Sequence, residues 1–464
     1  MNAPMLTLQQ LQSWLCGTTL VGDGHTALHR VHTDTRTLQA GDLFVALKGE
    51  RFDANDFLGQ AKASGAAAAL AHHSLKEIGL PGILVADTRL ALGELATRWR
   101  SLWRADTSKP LIAITGSNGK TTVTQMVAAI LHAHAGAQSL ATQGNLNNDI
   151  GVPLTLLRLR EQHTCAVVEL GMNHPGEIDC LARMAQPTVA LVNNAQREHQ
   201  EFMATVEAVA RENGSVFAQL PIDGVAVFPA SDTYTALWRE LAASHRTLSF
   251  GWDDAADVHG NAVWRDGGWH VSACTPQGPL HYTLAIAGRH NVLNSLAACA
   301  CGLAAGVSLD HIAQGLSAFQ AVKGRSRTVA LGAGVTLVDD TYNANPDSVR
   351  AAIDVLADLP GPRLLVLGDM GEVGDEGPAF HREVGQYAAE RGIDHVLCLG
   401  ELARHTTQAC PGSEHFEHID PLLDRVDSLR TPTRSILVKG SRFMKMERVV
   451  EHLNPTPQGP THAA

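Results

Sequence analysis

The stretch LIAITGSNGKTTVTQMVAAIL, residues 111–131, indicates the fold of the central part of the chain. An apolar strand leads into a glycine-rich turn and then into an amphipathic helix. Glycine lets backbone N–H groups turn onto phosphate oxygens, and the helix N-terminus adds partial positive charge. Lys120 can reach the β- and γ-phosphates, and the Thr121 hydroxyl can hold Mg²⁺. The predicted nucleotide-binding residues are Thr115, Gly116, Ser117, Asn118, Gly119, Lys120, Thr121 and Thr122.

The loop has the short GxxGKTT form, because the position five before Gly119 is Ile114, which still belongs to the strand. A glycine-rich turn alone could be purely structural. Here the strand, the lysine, two threonines and the helix follow in the order that nucleotide binding requires. The sequence holds no [NT]KxD motif of the kind that reads guanine, so ATP is favoured over GTP.

The segments around this loop predict an α/β fold. Apolar runs such as 165–170 and 188–193 alternate with helical stretches, which is typical of a parallel sheet covered on both faces. A Trp-containing section, about 224–287, is predicted to form antiparallel strands, and an alanine-rich helix follows over about 291–305. After about residue 321 the alternation restarts and predicts a second doubly wound sheet.

We therefore predict three domains: a small mixed α/β N-terminal domain, a central P-loop ATPase-like domain with a parallel sheet, and a C-terminal Rossmann-like doubly wound domain. The length of 464 residues fits about three domains. Their predicted bounds are 1–107, 108–325 and 326–464, with a polar linker over 105–110 and a disordered tail from about 454.

Composition and charge exclude several classes of protein. Hydrophobic residues make up 45% of the chain, enough for several cores, and the net charge is −11. An acidic chain is a poor general nucleic-acid binder, because neutralising phosphates needs a basic surface. The eight cysteines include no CxxC pair and are predicted to be reduced core thiols. We expect neither a signal peptide nor membrane insertion, and therefore a cytoplasmic protein, because the N-terminal stretch lacks a basic region and no apolar run reaches about 18 residues.

Two residues beyond the loop are metal-ligand candidates. Glu169 closes the strand 165–170, where P-loop proteins place a metal carboxylate, although it could also be a strand-end glutamate facing solvent. His199 follows the next strand and should stand at the same sheet edge, although it is one of 23 histidines. The predicted metal ligands are Thr121, Glu169 and His199.

Six motifs, taken together in chain order, carry a resemblance to a known family. They are TGSNGKTT (115–122), ELGMNHPGEI (169–178), NNAQREH (193–199), GRHNVLNSLAA (288–298), KGRSR (323–327) and DDTYNANPDS (339–348). The chain resembles the Mur ligases, ATP-dependent amino-acid or peptide ligases of bacterial cell-wall synthesis. Three segments resemble the members that add a D-alanyl-D-alanine dipeptide: GNLNNDIGVP (144–153), GDMGEVG (368–374) and KGSRFMKME (439–447). The DNPR-type motif of the diaminopimelate-adding member is absent.

The resemblance implies a role for each matching residue. The catalytic group would be Lys120, Glu169, His199 and Arg325, the last reaching the γ-phosphate. The adenine side would be met by His290, Asn291 and Asn294. The uridine diphosphate substrate would be held by Thr33, Asp34, Thr35, Arg36, Lys48 and Arg51, with Asn145, Asn147 and Asn148 near the substrate and the phosphates. The acceptor side would be formed by Asp340, Tyr342, Asn343, Asn345 and Asp369.

Plainer interpretations compete for three of these groups. TDTR (33–36) could be an ordinary turn. DDTYNANP (339–346) could be a strand end plus a helix cap, which would explain Asn345 but not two adjacent carboxylates. The acidic loop that begins at Asp369 could be solvated, or it could seat the ammonium group of a substrate.

The implied reaction is amide formation with ATP and Mg²⁺. A donor carboxylate takes the γ-phosphoryl group to give an acyl phosphate, which the amine of D-alanyl-D-alanine then attacks. The partners would be small molecules, a UDP-N-acetylmuramoyl-tripeptide and the dipeptide, and we expect a monomer. Two rivals stay open: a sister ligase that adds a single amino acid, including folylpolyglutamate-type chemistry, and a non-catalytic P-loop binding module. The third residue of the donor peptide, diaminopimelate or lysine, also stays open.

One position departs from the family pattern. Many Mur ligases carry, on the helix after the catalytic histidine, a lysine that is carbamylated to bind Mg²⁺. The corresponding stretch here, 204–220, contains no lysine, and Asn213 occupies that position. We therefore expect no carbamylated residue and no dependence on bicarbonate. Asn213 could hydrogen-bond a metal-bound water, or it could simply cap its helix before Gly214.

Overall fold

Three large sheets organise the described residues, and each sheet is drawn from one continuous part of the chain. The computed structural model describes residues 4–49, 52–104, 109–198, 201–332 and 334–455. Most of the predicted linker and nearly all of the predicted tail lie outside these ranges. The α/β fold class is confirmed, whereas the domain bounds 1–107, 108–325 and 326–464 stay predictions.

The N-terminal unit is a small mixed sheet with helices packed on it. Its strands are β1 (Leu6–Thr7), β2 (Thr19–Val21), β3 (Ala27–Leu28), β4 (Arg30–His32), β5 (Asp42–Val45), β6 (Ala68–Ala71) and β7 (Gly82–Leu84). Its helices are α1 (Leu8–Trp14), α2 (Leu58–Ala63), α3 (Leu75–Ile78) and α4 (Thr88–Trp103). The main sheet has the order β2-β7-β6-β5-β4, with β4 to β7 parallel, so the loops after β4, β5 and β6 meet at one edge.

The central unit contains a nine-stranded sheet in the order β16-β15-β14-β13-β12-β11-β8-β10-β9. Its strands are β8 (Leu111–Thr115), β9 (Ser139–Ala141), β10 (Cys165–Glu169), β11 (Val189–Val192), β12 (Val225–Pro229), β13 (Arg246–Gly251), β14 (Val258–Arg265), β15 (Gly268–Thr275) and β16 (Gly278–Leu284). Its helices are α5 (Lys120–Ala135), α6 (Gly151–Leu156), α7 (Glu177–Ala185), α8 (Val206–Gly214), α9 (Thr235–Ala242), α10 (Arg289–Ala304) and α11 (Leu309–Ala318). The antiparallel prediction for 224–287 is wrong in its first part. The strands β12 and β13 extend the parallel sheet because α9 crosses over between them, and antiparallel pairing begins only between β14 and β15.

The C-terminal unit is a six-stranded sheet in the order β17-β18-β22-β19-β20-β21. Its strands are β17 (Arg327–Ala330), β18 (Thr336–Asp340), β19 (Arg363–Gly368), β20 (His395–Leu399), β21 (Glu414–Phe416) and β22 (Ser435–Lys439). Its helices are α12 (Pro346–Ala357), α13 (Gly377–Glu390), α14 (Arg404–Ala409), α15 (Ile419–Arg430) and α16 (Glu447–Leu453). All neighbours except β17 and β18 pair in parallel, as the doubly wound prediction requires.

The cysteine prediction is confirmed in one respect and wrong in another. All eight are free thiols, but Cys16, Cys180 and Cys274 are exposed. On β15 the alternation of a strand turns Val271 and Ala273 inward and Cys274 outward, so its position in an apolar-looking stretch did not make it a core residue. Among the described residues, no helix has the length and apolarity needed to cross a bilayer.

The long helix α4 docks the N-terminal unit onto the central unit. Its apolar residues share one buried cluster with Leu156 of α6 and Leu181 of α7. Arg100, fully buried on α4, donates from Nε to the carbonyl of Ala185 at 2.8 Å and from Nη2 to the carbonyl of Gln186 at 3.0 Å. These carbonyls end α7, and a cation there also complements the helix dipole.

We expect Arg100→Ala to lower the apparent melting temperature by several degrees, corresponding to about 2–4 kcal/mol, because two buried carbonyls lose their donor. Thermal unfolding followed by circular dichroism measures this. Arg98→Ala, an exposed change on the same helix, is the matched control and should leave the melting temperature unchanged. Equal melting temperatures for the two variants would show that Arg100 does not hold the units together.

Candidate active site

The carboxyl ends of the central strands open into a cleft of about 1120 Å³. Because β11, β8 and β10 are neighbours in the sheet, the loops that follow them meet at one edge. The phosphate loop and Glu169 line this cleft from the central unit, and Arg325 and Tyr342 line it from the C-terminal side. The predicted P-loop and acceptor-side motifs, which are far apart in sequence, therefore share one cavity.

The phosphate loop, residues 116–122, requires glycine at two positions. Gly116 has φ +128°, and a Cβ there would lie 3.0 Å from Asn193 Cβ and 3.1 Å from the Asn194 nitrogen. Gly119 has φ +82°, and a Cβ there would lie 2.7 Å from Asn294 Oδ1. A residue with a side chain is strained in such a conformation. The glycines therefore let the loop approach the asparagines that hold it.

Asparagine side chains fix the phosphate loop through hydrogen bonds to its backbone. Asn194 Oδ1 accepts the N–H of Asn118 at 2.8 Å, and Asn193 Nδ2 donates to the Asn118 carbonyl at 2.8 Å. Asn193 Nδ2 also donates to Asn294 Oδ1 at 3.0 Å, and Asn294 Nδ2 donates to Asn291 Oδ1 at 3.0 Å. Asn291 and Asn294 are buried and line the cleft, and they support the loop indirectly through their hydrogen-bond chain to Asn193. Their predicted contact with adenine stays a prediction, as does that of His290, an exposed residue of the cleft.

Lys120 folds over its own loop. Its Nζ donates to the Gly116 carbonyl at 2.5 Å and to the Ser117 carbonyl at 2.9 Å, and it forms an ion pair with Glu198 Oε1 at 2.9 Å. Both charged side chains are mostly buried, being 13% and 12% exposed. Glu198 is a functional candidate that sequence reasoning missed, although its place beside His199 in NNAQREH was a signal. His199 itself lies outside the described residues, so its predicted role stays a prediction.

Glu169 is buried at the end of β10, so the solvent-facing interpretation is wrong. Its Oε1 accepts hydrogen bonds from Thr121 Oγ1 at 3.2 Å and from Asn147 Nδ2 at 2.8 Å. Its Oε2 is buried and has no hydrogen-bond partner among the described residues. A buried carboxylate oxygen without a donor, beside a P-loop hydroxyl, is the oxygen ligand set that a hard divalent cation takes. The residues therefore fit the predicted Mg²⁺ site.

Arg325 connects the central and C-terminal sides of the cleft. Its Nη2 donates to Thr121 Oγ1 at 3.0 Å. Its guanidinium carbon lies 3.8 Å from the centroid of the Tyr342 ring, a cation–π contact that fixes the orientation of the guanidinium plane. This places a permanent positive charge beside the phosphate loop. The predicted contact of Arg325 with the γ-phosphate stays a prediction.

The two adjacent carboxylates of DDTYNANP have different environments. Asp339 is buried and accepts the N–H of Gly324 at 3.0 Å and the Thr341 hydroxyl at 2.7 Å, which ties β18 to the segment before β17. Asp340 lines the cleft and pairs with Lys439 Nζ at 2.6 Å. Burial alone would raise the pKa of Asp340, but the Lys439 ammonium and the N–H of Ser326 hold it below its ordinary value. Lys439 opens the family-like segment KGSRFMKME, but its pairing with Asp340 was not predicted from sequence.

The remaining acceptor-side residues separate into two groups. Asn345 caps α12 by accepting the N–H of Ser348, as the plainer interpretation predicted, and its Nδ2 also donates to Asn118 Oδ1 at 3.0 Å across the cleft. Asn343 lines the cleft. Asp369 does not fit its predicted place. Its side chain is buried inside the C-terminal unit, where Oδ1 accepts the N–H of Ala403 at 2.7 Å.

Comparison with known proteins agrees with this geometry. A model of the Mur ligase middle domain matches residues 114–302, one of the Mur ligase glutamate ligase domain matches 324–442, and one of the Mur ligase catalytic domain matches 27–100. The chain is 43% identical over 457 residues to the UDP-N-acetylmuramoyl-tripeptide–D-alanyl-D-alanine ligase of Escherichia coli (strain K12), an alignment that covers 97% of this chain and 98% of that protein. The chain belongs to the Mur ligase family.

Two solved structures of relatives are similar to the structure of this Mur ligase. A crystal structure of MurF from Acinetobacter baumannii matches with a TM-score of 0.90 at 38% identity and covers 97% of this chain and 98% of that one. The MurF ligase of Thermotoga maritima in complex with ADP matches with a TM-score of 0.81 at 26% identity and covers 91% of this chain and 96% of that one. The three-unit α/β architecture is therefore that of Mur ligases.

The residues predicted to hold uridine diphosphate lie in two places in this Mur ligase. Thr33, Asp34, Thr35 and Arg36 follow β4, and Lys48 follows β5, so they share one edge of the N-terminal sheet. Arg51 lies outside the described residues. Within the first group Arg36 pairs with Asp34 at 2.7 Å and lowers the pKa of that carboxyl to about 2, which stabilises the turn that the plainer interpretation expected.

The second group belongs to the main cleft. Asn145, Asn147 and Asn148 all line it. Asn147 holds Glu169, as described above, and Asn148 Oδ1 accepts the N–H of Gly151 at 2.9 Å at the start of α6. Their contact with substrate stays a prediction, and the structure adds a supporting function for Asn147 and Asn148.

An ion-pair network joins the central and C-terminal units of this Mur ligase. Arg197, in the loop after β11, pairs with Asp347 of α12 at 2.6 Å and with Glu383 of α13 at 2.7 Å, and Arg350 also reaches Glu383 at 2.9 Å. The hydrogen bonds from Arg197 and then Arg350 lower the pKa of Glu383. Sequence patterns gave no sign of this network, because Arg197 lies 150 residues from Asp347 and 186 residues from Glu383.

Asn213 does not cap its helix, although one of the two sequence-based suggestions placed it there. The helix α8 continues to Gly214 and its C-cap is Ser215, so the capping interpretation is wrong. Asn213 is 1% exposed, and its Oδ1 accepts the N–H of Gly116 at 2.9 Å. That oxygen therefore contacts the phosphate loop, and the suggested hydrogen bond to a metal-bound water stays untested.

We expect Lys120→Ala to abolish phosphoryl transfer, by about 10³-fold or more, while the melting temperature changes little. The reason is that its ammonium stabilises charge on phosphate oxygens, whereas its contacts in the fold are to two loop carbonyls and to Glu198, a carboxylate that lines the open cleft. Phosphate release and thermal unfolding are measured side by side. Turnover near that of the unmodified enzyme would contradict the P-loop assignment.

We expect Arg197→Ala to weaken the association of the central and C-terminal units by about 1–2 kcal/mol, after allowance for solvent screening of this partly exposed network. Small-angle scattering should show a larger radius of gyration for the variant than for the unmodified protein. The radius of gyration of the unmodified protein should itself increase at acidic pH. The pKa of Glu383 is depressed, so its contribution is present above its ordinary value of 4.5 and is lost as the pH falls through the lower folded value. The exposed Arg382 of α13 gives the matched control, Arg382→Ala. Indistinguishable scattering for both variants would show that the ion pairs of Arg197 do not hold the two units together.

Proposed function

We propose that this Mur ligase joins D-alanyl-D-alanine to a UDP-N-acetylmuramoyl-tripeptide, with ATP converted to ADP and phosphate. The product would be the UDP-linked pentapeptide used for peptidoglycan synthesis. The observation that carries the proposal is one cleft in which the phosphate loop, Glu169 and Arg325 face the Asp340–Lys439 pair. The names and near-complete coverage of the curated relatives support the specific substrates.

ATP is the proposed cofactor, supported by the phosphate loop and by the ADP complex of the Thermotoga maritima relative. Mg²⁺ is proposed with it, held by the Thr121 hydroxyl and the Glu169 carboxylate, with His199 as the further predicted ligand. The unpaired Glu169 Oε2 is the feature that supports this assignment. A bound Mg²⁺ would neutralise negative charge on the phosphates during transfer.

The first chemical step depends on cations that surround the γ-phosphate. Lys120 would exchange its bonds to the loop carbonyls for bonds to phosphate oxygens, and Arg325, oriented by Tyr342, would meet the γ-phosphoryl group. An oxygen of the donor carboxylate attacks the γ-phosphorus as the bond to the ADP oxygen breaks. The products of this step are ADP and an acyl phosphate.

The second step forms the amide bond. The neutral amine of the dipeptide attacks the acyl carbon, loses a proton, and expels phosphate through cleavage of the C–O bond. Water would hydrolyse the acyl phosphate, so the contacts that close the cleft, Asn345 to Asn118 and Arg197 to Asp347, protect the intermediate.

We propose that the acceptor dipeptide enters on the C-terminal side of the cleft, near Asp340, Tyr342 and Asn343. Asp340 supplies a carboxylate that could attract an ammonium group, although Lys439 already neutralises part of its charge. We further propose a monomeric enzyme that works in the cytoplasm on small molecules and not on nucleic acid. The net charge of −11 supports the last point.

The decisive assay measures the phosphate released from ATP when the enzyme is given the UDP-linked tripeptide and different acceptors. We expect D-alanyl-D-alanine to be used about 10²-fold or more better than D-alanine, L-lysine or L-glutamate, because a dipeptide site leaves its polar groups unpaired with a shorter acceptor. A donor without the peptide is the matched control and should give no phosphate. Equal use of a single amino acid would favour a sister ligase, and phosphate release that needs no amine would favour a non-ligating P-loop module.

A further inference from the structure

The contacts of Asn213 point to a function in the phosphate loop itself. Its side chain has one acceptor and one amide donor group, and both are used inside the protein. Oδ1 accepts the N–H of Gly116 at 2.9 Å, and Nδ2 donates to the Val209 carbonyl one turn earlier in α8 at 3.1 Å. The backbone carbonyl of Asn213 also accepts the Thr115 hydroxyl at 3.3 Å. The end of α8 is therefore joined to the last residue of β8 and to the first residue of the loop.

Gly116 is fixed from both sides of its Cα atom. Its N–H is held by Asn213, and its carbonyl accepts Lys120 Nζ at 2.5 Å. On the opposite side the loop lies so close to Asn193 and Asn194 that even a Cβ on Gly116 would be crowded, at 3.0–3.1 Å. A rotation of the peptide units around Gly116 would therefore move the carbonyl that Lys120 binds.

We propose that Asn213 is a positioning residue for nucleotide binding. Its neutral amide fixes Gly116 so that the loop presents its remaining N–H groups, and the Lys120 ammonium, to the phosphates of ATP. This inference rests on the proposed function only in that the loop binds a nucleotide. Because Asn213 acts through a hydrogen bond and not through charge, the enzyme needs no carbon dioxide adduct at this position.

The expected signature is a selective loss of nucleotide affinity. Asn213→Ala leaves the buried Gly116 N–H without its acceptor, and we expect kcat/KM for ATP to fall by about 10- to 100-fold. The KM values for the UDP-linked tripeptide and for the dipeptide should change by less than about twofold, since a contact to Gly116 does not touch those substrates. Asn213→Asp keeps an oxygen for the Gly116 N–H and should recover part of the loss.

Two measurements make the test independent of turnover. Calorimetry should show weaker ADP binding to Asn213→Ala, and hydrogen exchange followed by mass spectrometry should show faster exchange in peptides that contain Gly116. Arg211→Ala, which removes an exposed ion pair with Glu207 on the same helix, is the matched control and should change neither quantity. Activity of the unmodified enzyme should be the same in carbon dioxide-free and bicarbonate-supplemented buffer.

The proposal is overturned if Asn213→Ala binds ADP as tightly as the unmodified protein with unchanged exchange at Gly116. It is also overturned if bicarbonate stimulates the unmodified enzyme. An unmodified protein that binds ADP but forms no peptide bond would refute the proposed function instead, and the ADP affinities of the variants would still decide the role of Asn213.

Discussion

The hydrogen bonds that hold the phosphate loop at the end of β8 are the constraint on which the rest of the structure depends. A loop that presents its N–H groups to phosphate cannot also satisfy its backbone internally, so neighbouring side chains must hold it. Here the loop after β11 supplies Asn193 and Asn194, and α8 supplies Asn213. Asn294 of α10 in turn accepts a hydrogen bond from Asn193. These uncharged amides fix the backbone without competing with the cations for the phosphates.

The C-terminal side of the cleft makes its contacts to the same phosphate loop. Arg325 binds Thr121, Asn345 binds Asn118, and Arg197 reaches from the neighbouring loop to α12 and α13. The C-terminal unit is thus positioned against the phosphate loop by direct contacts. The contacts that join the two units are therefore the same contacts that assemble the cleft, which suits a reaction whose acyl phosphate must be kept from water.

Local sequence patterns predicted what depends on local chemistry. The strand–turn–helix around Lys120, the parallel sheets and the cap at Asn345 follow from hydrophobic periodicity and from the known chemistry of glycine and asparagine. The parallel course of β12 and β13 was missed because a short crossover helix separates strands that look like hairpin strands. The Arg197–Asp347 and Lys439–Asp340 ion pairs join residues about 100 or more positions apart, so only the folded structure could bring them together. Asp369 was misplaced because a strand-end carboxylate can turn into the core when a backbone N–H receives it.

The central claim is that this Mur ligase activates a carboxylate by phosphorylation. The most direct test is to supply the UDP-linked tripeptide with its terminal carboxylate labelled with ¹⁸O, and to analyse the released phosphate by mass spectrometry. The mechanism predicts one ¹⁸O atom in each phosphate, because the carboxylate oxygen that attacks the γ-phosphorus leaves with it when the amide forms. Unlabelled phosphate from an assay that still yields the pentapeptide would contradict the account.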